Sequence, residues 1–151
     1  MITLNFDGAC EPKNPGGFAS YGVVVIRDGE RIFEDTALFD PFKLHGKTSN
    51  NLAEYSGFLA GLKFLISKGL QHEEILVCGD SKLVIEQMFG YWRIKKGIYV
   101  DLALEARHLL KQFPRIRGRW IPREENFIAD ELSKRELIKA KVKFSIQPEE
   151  L

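Results

Sequence analysis

The 151 residues suit one domain with one core, and 44% hydrophobic with 11% aromatic residues exclude a disordered chain. No apolar run approaches the ~20 residues of a membrane span, and no basic-then-apolar leader opens the chain, so a cytoplasmic protein without a membrane partner is the expectation. The net charge of +1 is unevenly spread: residues 1–91 carry 8 Lys/Arg against 12 Asp/Glu, residues 92–143 carry 14 against 7, and the last eight carry only Glu149 and Glu150. An acidic first half before a basic second half suits a cation-holding site beside a polyanion-holding surface, although a mixed solvated surface would read the same way. Cys10 and Cys78 are too few for a disulfide framework and read as free thiols, a pair between them being the alternative.

In chain order, Met1–Asp7 reads as a strand, with Ile2, Leu4 and Phe6 on one face and Thr3, Asn5 and Asp7 on the other. It ends on Asp7 and opens into a Gly- and Pro-rich loop through Gly17. Phe18–Arg27 is a β-branched second strand, Asp28-Gly29 a hairpin turn, and Arg31–Phe39 the antiparallel return. After a loop over Asp40–Ser49, Asn51–Gly69 is the clearest helix. Asn51 and Glu54 have capping-box spacing, and Tyr55, Phe58, Leu59, Leu62, Leu65 and Ile66 form the apolar stripe. Gly57 and Gly61, four apart, predict close packing on a sheet.

Glu74–Gly79 is a short apolar run that suits a buried parallel strand ending on Asp80-Ser81. Lys82–Phe89 reads as a helix, Gly90–Gly97 as a basic, aromatic connection, and Tyr99–Phe113 as an amphipathic helix ended by Pro114. Ile116–Ile121 is a fifth strand in which Arg115, Arg117 and Arg119 alternate with Ile116, Gly118 and Trp120. Asn126 caps a last helix through about Ala140. Val142–Ile146 has strand-like alternation but no assigned partner. Three antiparallel strands followed by strand–helix units predict an α/β chain with a mixed sheet and helices on its faces.

Asp7 and Asp80 each end an apolar strand, and Glu54 and Asp130 each sit near a helix start. Singly, Glu54 and Asp80 are as well explained as helix-capping groups. If the strands are neighbours the four converge, and converging carboxylates call for a cation. Oxygen-only ligands favour magnesium or manganese, and His45, His72 and His108 are too scattered to compete. Two such cations, about 3.5–4 Å apart, would activate a water and stabilise the leaving oxygen of a phosphodiester.

Asp7-Gly8-Ala9-Cys10 followed by Asn14-Pro15-Gly16-Gly17 resembles the opening motif of type 1 ribonuclease H. Matching pieces continue in order: Thr48-Ser49-Asn50-Asn51-Leu52-Ala53-Glu54, then Gly79-Asp80-Ser81, then Asn126-Phe127-Ile128-Ala129-Asp130-Glu131-Leu132-Ser133. The resemblance implies a ribonuclease H-like fold, a five-stranded mixed sheet of order 3-2-1-4-5 with helices on both faces, occupying residues 1–141 ahead of a 142–151 tail that would either add an edge strand or bind a partner. It implies Asp7, Glu54, Asp80 and Asp130 as the catalytic, metal-binding set, with two Mg²⁺ or Mn²⁺ ions. The implied reaction is endonucleolytic hydrolysis of the RNA strand of an RNA–DNA hybrid by a monomer, leaving 5′-phosphate and 3′-hydroxyl ends; double-stranded RNA is a further candidate substrate.

The same resemblance places Asn14, Asn50 and Asn51 where the family touches the minor groove and the RNA 2′-hydroxyls. Amides both donate and accept, which suits that hydroxyl. Ser81 and Lys82 follow at the substrate side of Asp80. Trp92, with Arg93, Lys95 and Lys96, is a candidate grip on the DNA strand. Many members carry a histidine in a flexible loop before the last carboxylate. Ile121–Ala129 has none, and Arg123 is the candidate there for the scissile phosphate. The extra helix and basic loop of some members are also absent. A catalytically weak hybrid- or double-strand-RNA-binding module and an exonuclease of the same fold are the rival readings.

Overall fold

The computed structural model describes residues 1–145. Strand β1 (Ile2–Glu11), β2 (Phe18–Arg27) and β3 (Glu30–Phe39) form an antiparallel meander; helix α1 (Asn50–Ser67), β4 (Ile75–Gly79), α2 (Lys82–Phe89), α3 (Val100–Leu110), β5 (Ile116–Trp120) and α4 (Phe127–Lys139) follow. The sheet order is β3-β2-β1-β4-β5, with β4 parallel to both β1 and β5. The expected fold class and strand order are thus what the chain adopts. The β2–β3 turn falls on Asp28 and Gly29, both at positive φ, the conformation that matches strand twist in a two-residue hairpin.

The alternation read in β1 is realised. Leu4 and Phe6 are fully buried on the α1 side, where Phe6 meets Phe58 at 5.5 Å between ring centroids. The glycine spacing of α1 also does what was expected: a Cβ at Gly61 would press on the Leu4 side chain and one at Gly57 on Tyr21. On the opposite face α4 lies against β2 at Gly22, where a Cβ would run into the Ala129 carbonyl. Helices therefore cover both faces.

Three local expectations need correction. β1 does not stop at Asp7: its pairing with β2 continues to Glu11↔Phe18, and only its pairing with β4 stops early, at Asn5↔Cys78. The α1 cap is Ser49, not Asn51, because Ser49 has the extended backbone and its Oγ accepts from the Leu52 N–H at 3.0 Å. Val142–Ser145 forms no strand; it crosses back to β1, where Ser145 donates from its N–H and Oγ to the Glu11 carboxylate. Ile146, the last residue of that expected strand, lies outside the described residues. Cys10 and Cys78 are both free and buried. Among the described residues no helix is long and apolar enough to cross a membrane.

Candidate active site

The site lies where β1 loses β4 and keeps β2. Asp7 is two residues beyond the last β1–β4 pair, and Asp80 immediately follows the last residue of β4. Glu54 reaches the same point from the first turns of α1. A Cβ at Gly8 would stand 2.7 Å from the Glu54 backbone nitrogen, so the glycine is what lets α1 close on β1. One carboxylate oxygen each from Asp7, Glu54 and Asp80 lies within 4.8 Å of the others.

Asp7 and Glu54 are only 4% and 3% exposed. Burial, then Glu54, then Asp80 push the Asp7 carboxyl well above its ordinary range. Burial and then Asp80 raise Glu54, against a partial downward pull from the Asn50 amide, which donates to Glu54 Oε1 at 3.4 Å. Glu54 Oε2 and Asp80 Oδ1 are buried without a hydrogen-bond partner. Buried, mutually repelling carboxylates with orphaned oxygens are the donor set a hard divalent cation satisfies, so the residues present fit such an ion.

Asp130 is held differently. Its Oδ2 is 3.1 Å from Lys134 Nζ, one turn along α4, and its Oδ1 is 3.6 Å from Arg123 Nε. It still comes close enough to Asp7 to help raise that carboxyl. Asn126 sets this distance. It is 1% exposed, its amide donates to the Phe6 carbonyl at 2.8 Å, and its Oδ1 accepts from Asn5. The expected capping residue is therefore a brace that ties the start of α4 to the residue before Asp7; it makes no side-chain cap bond.

These groups open into a cleft of ≈ 320 Å³. It brings together all four acidic residues with Asn14, Asn50, Ser81 and Arg123. Asn14 accepts through Oδ1 from the Asn50 N–H at 2.9 Å, and Ser81 Oγ caps α2. Asn51 and Lys82 do not line it. Lys82 instead sits 5.1 Å above the Trp120 ring, whose indole donates to the Asp80 carbonyl at 3.1 Å. Trp92 lies in a separate cavity of ≈ 430 Å³ with Arg93, Lys95 and Tyr99. All three histidines are exposed and none lines the cleft. Sequence reasoning missed Lys134, whose signal was its i,i+4 spacing from Asp130, and Trp120, whose role depends on where β5 ends. It also missed Phe144, which reaches the cleft only because the segment after α4 doubles back.

Residues 5–136 match the family described as reverse transcriptase-like. The chain belongs to that family. As a reverse transcriptase-like domain with a ribonuclease H fold, it resembles the bifunctional protein Rv2228c of Mycobacterium tuberculosis, at 39% identity over 132 residues, 87% of this chain and 34% of that protein. It resembles ribonuclease HI of Halobacterium salinarum at 34% identity over 130 residues, 85% of this chain and 60% of the other. The reverse transcriptase-like domain thus spans about a third of the mycobacterial relative and three-fifths of the archaeal one. Among solved structures it superposes on LC11-RNase H1, crystallised with an RNA/DNA hybrid, with a TM-score of 0.80 and 30% identity, covering 93% of this chain and 99% of that one. The N-terminal RNase H domain of Rv2228c gives a TM-score of 0.79 and 35% identity, over 93% and 95% of the two chains.

Proposed function

We propose that this domain is a divalent-metal-dependent endoribonuclease that hydrolyses the RNA strand of RNA–DNA hybrids and leaves 5′-phosphate and 3′-hydroxyl ends. The observation that carries the reading is the convergence of Asp7, Glu54 and Asp80 within 4.8 Å, with two buried oxygens unpartnered. The resemblance of the entire fold to a hybrid-bound RNase H1 supplies the substrate class.

Asp7, Glu54, Asp80 and Asp130 would hold the ions, magnesium or manganese by the all-oxygen donor set. Bound there, divalent cations supply Lewis-acid polarisation of the scissile phosphate and a more acidic water. The protein's own groups do the orienting. Asn50 fixes one Glu54 oxygen and leaves the other for an ion. Asn14, with its Oδ1 already engaged by the Asn50 N–H, has its NH₂ to offer a ribose hydroxyl. Arg123 stands at the cleft mouth as a phosphate contact, and Trp92 with Arg93 and Lys95 offers a separate surface to the DNA strand.

The test is incubation with labelled RNA–DNA, RNA–RNA and DNA–DNA duplexes in magnesium, manganese or chelator. Cleavage of the RNA in the hybrid with either metal, none with chelator, and none by Asp7→Asn is the expected result. Cleavage of the hybrid by pure Asp7→Asn protein refutes the assignment. Cleavage within an end-blocked hybrid separates endonuclease from exonuclease, and the RNA–RNA arm decides whether double-stranded RNA is also a substrate.

A further inference from the structure

Gln87, on α2, is a buried polar side chain that the chemistry above does not use; it is 3% exposed. Its Oε1 accepts from the Tyr55 hydroxyl at 2.6 Å, and its Nε2 donates to the Arg93 carbonyl at 2.9 Å and to the Tyr99 hydroxyl at 3.1 Å. The Tyr55 and Tyr99 rings stack beside it, 5.6 Å between centroids and 4° from parallel. Tyr55 follows Glu54 on α1, and Tyr99 stands at the start of α3, so one amide joins the helix that carries a catalytic carboxylate to the chain between α2 and α3. Residues 90–99 of that chain belong to no helix or strand. Among the described residues, the bond from Gln87 is the only hydrogen bond that residues 93–96 make. It holds a segment whose Trp92, Arg93 and Lys95 side chains are exposed around the ≈ 430 Å³ cavity that Gln87 also lines. An apolar side chain of the same length would fill the core equally well and leave this segment untied.

We propose that Gln87 is a positioning residue for nucleic-acid binding. It ties residues 93–96 to α1, so that Trp92, Arg93 and Lys95 meet the DNA strand already ordered and in fixed register with the cleft. The inference rests on the hybrid-cleaving function proposed above. Its physical basis is preorganisation: a segment ordered before binding spares the complex the entropy of fixing its backbone and long side chains. Gln87 acts through the Arg93 backbone and touches neither substrate nor ion. Loss of the tie therefore weakens capture of the hybrid and leaves the chemical step at the carboxylates unchanged.

The experiment measures the Kd of a labelled RNA–DNA hybrid by fluorescence anisotropy in chelator at low salt, and KM and kcat for its cleavage in magnesium. Wild type, Gln87→Met, Tyr55→Phe, Trp92→Ala/Lys95→Ala and the triple variant Gln87→Met/Trp92→Ala/Lys95→Ala are compared. Gln87→Met, which keeps side-chain length, is expected to raise Kd and KM about tenfold with kcat within about twofold of wild type. Tyr55→Phe breaks the same network but spares the Arg93 bond, so it should lower the urea midpoint and keep the wild-type Kd. The triple variant should bind no more weakly than Trp92→Ala/Lys95→Ala, because the tie then has nothing to position. Where Gln87→Met does not fold, Gln87→Asn, whose amide is one methylene short of the Arg93 carbonyl, is read in the same way. A folded Gln87 variant with wild-type Kd and KM overturns this inference alone. So does an equal loss of affinity in Tyr55→Phe, or a loss that persists undiminished in the triple variant. Binding without cleavage by wild type refutes the proposed function and leaves the Kd comparison to decide the inference. No hybrid binding by any variant, wild type included, overturns both.

Discussion

Asp7 and Glu54 are ionisable groups held out of water with no ion-pair partner among the described residues. Glu54→Gln removes charge, keeps shape, and should abolish hybrid cleavage while stabilising the metal-free protein by about 0.5–2 kcal/mol, read as a higher urea midpoint in chelator. The pH dependence follows from the same residues. A carboxyl whose proton affinity is raised by folding stabilises the native state fully below its ordinary value, here 3.8 for Asp7 and 4.5 for Glu54. That contribution is lost as pH rises through the raised folded-state value. Urea midpoints in chelator should therefore fall from acid toward neutral pH in wild type relative to Asp7→Asn/Glu54→Gln, and parallel profiles would contradict the assigned burial. The four acidic positions were legible in the sequence because each sits in a short motif. The split between a bare trio and a paired Asp130 was not, because it depends on which long side chain is buried beside it.

Among the elements, β1 and α1 define the site by how closely they approach. Gly8→Ala places a methyl group against backbone, 2.7 Å from the Glu54 nitrogen and 2.9 Å from the Ala53 Cβ, so the helix must retreat. The expected cost is about 1–3 kcal/mol in denaturation midpoint, with a larger fractional loss of Mn²⁺ affinity as Glu54 moves from Asp7. A variant with wild-type affinity would show that the helix start does not set the site. Periodicity made the strands and α1 readable, and the Asp28-Gly29 turn fixed the first hairpin. It did not give the β1–β4 adjacency, which came from resemblance to a known family. The Ser49 cap was missed because Ser49, Asn50 and Asn51 are all cap-competent, and only the extended backbone at Ser49 chooses among them.

For the whole molecule, a ligand that binds only the folded state raises stability by mass action. At an Mn²⁺ concentration about 100 times the dissociation constant the gain is roughly 2.7 kcal/mol, a rise in Tm on the order of 5–10 °C for a chain of this size. Scanning fluorimetry should show that rise in wild type and little of it in Asp7→Asn; an equal rise in both would place the ion elsewhere. The tail was the least legible part, since alternation in Val142–Ile146 suggested pairing where Phe144 instead tucks in at 6% exposure and Ser145 binds Glu11. That contact has a practical side for anyone attaching the molecule to a sensor surface or an optical trap. Met1, whose ammonium is 3.6 Å from Asp28, stands at the far end of β1 from Glu11, roughly 30 Å away by strand rise. An N-terminal handle therefore starts far from the cleft, while a handle joined behind Ser145 starts at its rim.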